Sequence, residues 1–207
     1  MFFPTMAIVQ GLSQELDGQT LLPKLFMNYI RTVFNHCPDI KFRMHRSIRV
    51  DVDNAIVSGY YDSDADIAGL PSVEIVISLN PEQAYIKSDN FNWDIFGFDL
   101  AECICHELIH KQQFRQGGIF DEYISEKEDH NQKTEQEYLG SEREIDAYAF
   151  SIAAEYITFN RPITECTMYR VYQYTFDEDD SVMLKLQEYI VKYLTYLEFD
   201  YDQDDSY

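Results

Sequence analysis

The patterning of the chain predicts an α+β fold, and three observations carry that reading. Apolar residues recur at helical spacing in four long stretches, roughly 20–36, 99–116, 141–159 and 180–199. Apolar and polar residues alternate with period two from Ile40 to Ser58. The run Val-Glu-Ile-Val-Ile-Ser-Leu at 73–79 is short, rich in β-branched residues and closed by Asn80-Pro81, as a buried strand would be. At 207 residues the chain suits one domain with a helical extension, read as residues 1–160, an extension over 161–199 and an acidic tail over 200–207.

Taken in order, residues 1–11 are apolar and suit a short strand or docked arm. They lack the basic start and cleavage site of a signal peptide. Thr20 is placed to cap a helix reaching about His36. Pro23 falls in its first turn, Leu22, Leu25, Phe26, Tyr29, Ile30, Val33 and Phe34 form its apolar stripe, and Cys37-Pro38-Asp39 ends it. Over 40–58, Phe42, Met44, Arg46, Ile48, Val50 and Val52 alternate with Lys41, Arg43, His45, Ser47, Arg49 and Asp51. This reads as one long strand or two shorter ones, whose polar face is the only basic patch. The run Asp62-Ser-Asp-Ala-Asp66 lacks the sixth-position glycine and twelfth-position acid of a calcium loop. Asn90–Asp94 holds the one tryptophan, which suits a core cover better than a cleft wall.

The next helix carries the most specific signal, His106-Glu107-Leu108-Ile109-His110. Two histidines four apart project from one helix face and reach a single metal ion, while the glutamate beside them is placed to take a proton rather than to ligate. Asp99 with Glu102 resembles a capping box. Ala101, Ile104, Cys105 and Leu108 give a core stripe, Lys111 and Arg115 suit the negative end of the dipole, and Gly117-Gly118 supply a stop.

Residues 121–136 are polar without apolar period and read as a surface loop containing His130, one possible third ligand. The helix after it, from about Ser141 to Phe159, offers a better one. Glu142 and Glu144 open a helix whose surface is almost unbroken apolar, through Ile145, Ala147, Tyr148, Ala149, Phe150, Ile152, Ala153 and Tyr156. A carboxylate there is costly unless it is paired or coordinates a metal. In the C-terminal part, 163–176 and 180–199 have helical spacing, and Val182, Leu186, Tyr189, Ile190, Tyr193, Leu194 and Leu197 make a stripe that suits packing on the preceding helices.

His106, Glu107 and His110, followed by Glu144-Ile145-Asp146-Ala147-Tyr148-Ala149, resemble the gluzincin pattern of zinc metallopeptidases, and within it the minigluzincin group that includes the ImmA/IrrE-type peptidases. The resemblance implies a zincin-like domain: a small twisted sheet, an active-site helix, a glutamate helix and a C-terminal helical cover. It implies Zn2+ held by His106, His110 and Glu144, with Glu107 as general base and Asp146 and Tyr148 at the accompanying positions around the ligands. A rival alignment puts the third ligand on Glu142, with Asp146 as the aspartate that orients a histidine in thermolysin-like enzymes. In zincins the strand before the active-site helix borders the cleft, so 73–79 is expected to offer an edge to an extended peptide. The pattern also resembles metallopeptidase-like proteins of tailed phages, which would place the chain in a virion or host cytoplasm.

Composition limits the partners. A net charge of −21, with 37 acidic against 16 basic residues, argues against direct binding to nucleic acid and suits a basic protein partner, while a peptide or protein substrate is what the metallopeptidase resemblance implies. Four cysteines without C-x-x-C spacing point to a reducing, cytoplasmic setting, and Cys103 reads as a small buried thiol. No apolar run is long enough to span a membrane. The alternative to an enzyme is an acidic interaction protein, of a virion or inhibiting a basic partner, that retains a structural or vestigial zinc site.

Overall fold

The computed structural model describes residues 19–87, 91, 93–117 and 132–204, and the fold is α+β. The expected N-terminal arm, His130 and Gly118 lie outside the described residues. The chain forms two compact units, Met1–Lys111 and Gln112–Tyr207, and the division falls inside one helix.

In the first unit, strand β1 (Thr20–Leu21) pairs antiparallel with β5 (Ile86–Lys87), so Thr20 starts a strand and does not cap a helix. Helix α1 (Pro23–Val33) begins at the proline, whose fixed φ suits a first turn, with Leu22 as a cap that makes no side-chain bond. It buries Phe26, Met27 and Ile30. Strands β2 (Ile40–Arg46), β3 (Ala55–Tyr61) and β4 (Val73–Leu79) form a sheet in the order β2-β4-β3, with β2 parallel and β3 antiparallel to β4. The alternating segment thus yields two strands separated by β4. The expectation that β4 presents an edge is overturned, because both of its sides are paired; among the described residues β2 and β3 are the outer strands instead.

Val73, Ile75, Ile77 and Leu79 are fully buried on one face. On the other, Glu74 is held between Lys41 at 2.9 Å and Arg43 at 2.8 Å. Between β3 and β4, helix α2 (Ser63–Ile67) is capped by Asp62, whose carboxylate accepts from Ala65 N at 3.0 Å; the acidic run therefore caps a helix.

Helix α3 runs Trp93–Arg115. It starts six residues before the expected cap, so Asp99 lies within the helix, where burial raises its carboxyl pKa. Tertiary packing overrides the capping signal here: Trp93 and Phe96 sit with Phe91 around Phe26, ring centroids 4.6 to 6.3 Å apart, and this aromatic cluster fixes the first turn. Trp93 accordingly covers core. Lys111 does not serve the helix dipole at the surface. Its ammonium is buried 2.8 Å from Asp39, 3.2 Å from Asp66 and 3.0 Å from Ser72 Oγ, pinning α3 to the segments that lead into β2 and β4. Gly117, at φ 74°, makes the left-handed stop.

In the second unit, helix α4 (Gln132–Leu139) occupies the end of the segment read as loop. Its place is fixed from outside: Gln136 donates to Thr175 O, and the buried Tyr172 hydroxyl donates to Leu139 O at 2.9 Å. Helix α5 (Glu142–Phe159) is capped by Ser141 and ends at Asn160 in the left-handed region. A 3-10 turn (Ile163–Glu165), helix α6 (Thr167–Thr175) and helix α7 (Ser181–Asp204) follow, the last including five residues assigned to tail from the sequence. Ile145, Ala149 and Ile152 of α5 share a core with Tyr169 and Tyr172 of α6 and Met183, Leu186 and Ile190 of α7. The glutamate helix and the C-terminal helices are thus one packing unit, and the stripe on α7 is spent inside the chain. No helix among the described residues is long and apolar enough to cross a membrane.

Candidate metal centre

His106 and His110 stand one turn apart on α3, both buried, with their Nε2 atoms 2.9 Å from each other and their rings nearly perpendicular at 84°. At that distance one Nε2–H donates to the other, or both nitrogens turn lone pairs toward a shared cation. Two nitrogens bound tetrahedrally at 2.0–2.1 Å lie about 3.3 Å apart, so a zinc ion asks the rings to open by only a few tenths of an ångström. Glu107, between them in sequence, is also buried.

Glu144 is the third residue of α5. Ser141 and Glu144 have the spacing of a capping box, and Ser141 Oγ does accept from Glu144 N, at 3.4 Å. The return bond of the box is not made, since Ser141 N–H is given to Tyr138 O at 3.1 Å. The glutamate side chain is instead buried, with the Nε of Arg143 3.9 Å from it. Among the described residues, His106, His110 and Glu144 make up a group able to hold a metal ion, with ligand atoms all within 4.8 Å of one another. Two imidazoles and a carboxylate are the donor set of catalytic zinc sites that keep a fourth position open, and the residues present fit such an ion.

The other sequence candidates are placed elsewhere. Glu142 is exposed on the outer side of α5, where it accepts from the Tyr189 hydroxyl at 2.8 Å and pairs with Lys185 at 3.1 Å; these partners lower its pKa. Asp146 accepts from Tyr193 Oη at 2.8 Å and from Gln113 Nε2 at 2.9 Å, with Lys192 at 3.4 Å. Tyr148 packs edge-on against Tyr172, ring centroids 6.0 Å apart, in the core of the second unit. His45 is exposed on the outer sheet face beside Ser78. Cys103 lies against Gly59 of β3, and burial followed by the charge of Glu107 raises its thiol pKa well above the ordinary value, which keeps it protonated and inert.

Two residues of consequence escaped the sequence reading. Gln113 donates to Arg143 O at 3.0 Å and to Asp146, so the last turn of α3 grips the first turn of α5 on both sides of Glu144. The available signal was its spacing, since His106, His110 and Gln113 stand at i, i+4 and i+7 on one helix face. The second is Gly59, whose absent side chain lets β3 touch α3 at Cys103 and Glu107. Comparison of the chain with protein-family models, curated proteins and solved structures finds no match.

Proposed function

We propose that the protein is a zinc-dependent metallopeptidase. One observation carries the reading: three buried metal-ligating side chains of the His-His-Glu type converge, and the residue between the histidines is a buried glutamate. His106, His110 and Glu144 would hold the zinc, which when bound supplies a Lewis acid that polarises a carbonyl and acidifies water. Glu107 is left out of the ligand set. Its carboxylate accepts the proton of the attacking water and delivers it to the amine of the departing peptide. Burial of all four groups excludes bulk solvent and strengthens the interactions that orient them.

The sheet supports a peptide as substrate. Strand β3 is one of the two outer strands of its sheet among the described residues, and it is the one that meets the active-site helix beside Glu107, through Gly59. An extended peptide can add to such an edge by main-chain hydrogen bonds, with Ile56 and Tyr60 exposed along the strand to meet its side chains.

The test combines composition and activity. Purified protein is expected to carry about one zinc per chain. A quenched-fluorescent peptide library should show cleavage that chelation abolishes, and Glu107→Gln should retain the zinc while turnover is lost, because the amide cannot accept a proton. Absence of zinc uptake would remove the metal reading, and unchanged turnover in Glu107→Gln would remove Glu107 from the chemistry.

A further inference from the structure

Gly59 lies in the interior of edge strand β3, opposite Ile75 of β4. A methyl group on its Cα would stand 2.7 Å from Cys103 Sγ, 2.9 Å from Glu107 Cγ and 3.1 Å from Ile75 Cδ1. Carbon atoms at side-chain β positions essentially never come within 3.0 Å of another heavy atom, so no larger residue fits unless something moves. Among the described residues the glycines with positive φ are Gly69 and Gly117, and Gly59 is not one of them. Backbone conformation therefore does not call for glycine at this position. A glycine inside a strand is destabilising relative to alanine, and close backbone approach is the usual compensation.

We infer that Gly59 is a positioning residue for the general base, an inference that rests on the peptidase reading above: its missing side chain lets β3 lie on the Cys103–Glu107 face of α3, where the strand bounds Glu107 Cγ and so fixes the direction of the carboxylate. Cys103 and Glu107 are four residues apart and straddle the glycine, one on each side of the contact. The two neighbours respond differently to crowding. The Cys103 sulfur is terminal and can rotate away. Glu107 Cγ is in mid-chain, so displacing it carries the carboxylate with it. Because Glu107 is not a ligand, its displacement leaves the metal donors where they are.

The test is Gly59→Ala in the full-length zinc-loaded chain, assayed with the peptide that the wild type cleaves best in a quenched-fluorescent library. The expected result is a fall in kcat on the order of 100-fold, as a displacement of about 1 Å produces, with KM and zinc affinity near their wild-type values. Adding Cys103→Ala removes the 2.7 Å contact and leaves the 2.9 Å contact with Glu107. The double variant is therefore expected to regain thermal stability without regaining kcat. An unchanged kcat in Gly59→Ala overturns the inference, and so does a kcat restored together with stability by Cys103→Ala. Failure of alanine to fold at position 59 even with Cys103 trimmed assigns Gly59 to the fold alone and also overturns it. A wild-type chain that neither takes up zinc nor cleaves peptide is a failure of the peptidase reading itself, seen before any variant is made, and removes this inference with it.

Discussion

Glu142 and Glu144 show how two residues of one type, two positions apart, acquire opposite environments. On a helix that separation is about 200°, so one faces inward when the other faces out. Glu144 is 4% exposed and grouped with the histidines, whereas Glu142 is tied to Tyr189 and Lys185 on the surface. Glu144→Ala is expected to weaken zinc binding by orders of magnitude, since it leaves a site of two histidines. Glu142→Ala should leave zinc affinity intact and cost at most about 1 kcal/mol of stability, the scale of an exposed ion pair. Competition with a chelator compares the two variants; a larger loss of affinity from Glu142→Ala would transfer the ligand role to that residue.

At the scale of the element, α3 is the piece that every part of the candidate site depends on, and it is secured at both ends. Its start is held by the Phe26 aromatic cluster and its C-terminal part by Lys111, buried between Asp39, Asp66 and Ser72. Removing one member of a buried ion pair typically costs about 3–5 kcal/mol, because the partner keeps its charge without compensation. Lys111→Met is expected at the lower end, about 3 kcal/mol, because Asp39 is partly exposed and Asp66 retains the Tyr61 and Ser72 hydroxyls. The shift of the urea midpoint measures it, and a change under about 1 kcal/mol would show that the lysine contributes no more than a surface pair.

Over the whole molecule, acidity sets how stability responds to pH. Burial pushes the Glu74 carboxyl up, but Lys41 and Arg43 outweigh it and hold the group below its ordinary value; Tyr189 and Lys185 do the same for Glu142. A carboxyl whose pKa is lowered by folding stabilises above the unfolded value, about 4.3 for glutamate, and that contribution is lost as pH falls through the folded value. Asp99 and Glu155 work in the other direction. Burial raises both, so neither costs stability below its unfolded pKa, and each costs more as pH rises from there to its folded pKa. Glu74→Gln is therefore expected to be less stable than wild type at pH 7, and the gap to close as pH is lowered below about 4. Urea unfolding of both proteins at several pH values checks it; a gap that persists under acid would place the effect in packing rather than charge.

What the sequence determined by itself is everything that depends on spacing along one element. The pairing of His106 with His110, the strand at 73–79, the apolar stripe of α7 and the amphipathic alternation around Phe42 and Arg43 all follow from the period of a helix or strand, which is a local property of the chain. The start of α3 at Trp93, the helical end of the segment read as a loop, the inward turn of Glu144 and the burial of Lys111 were decided by tertiary structure. In each case a local signal had two physically sound outcomes. Asp99 can cap or continue a helix, a capping-box glutamate can turn back or turn in, and a lysine near a helix end can meet solvent or a buried carboxylate. Which outcome wins is set by partners distant in sequence, through the desolvation and packing they bring, and a residue's own neighbours along the chain carry no record of those partners. Gly59 is the clearest instance: a glycine in a strand reads as a weakness until the Cys103–Glu107 face of α3 occupies the space where its side chain would be.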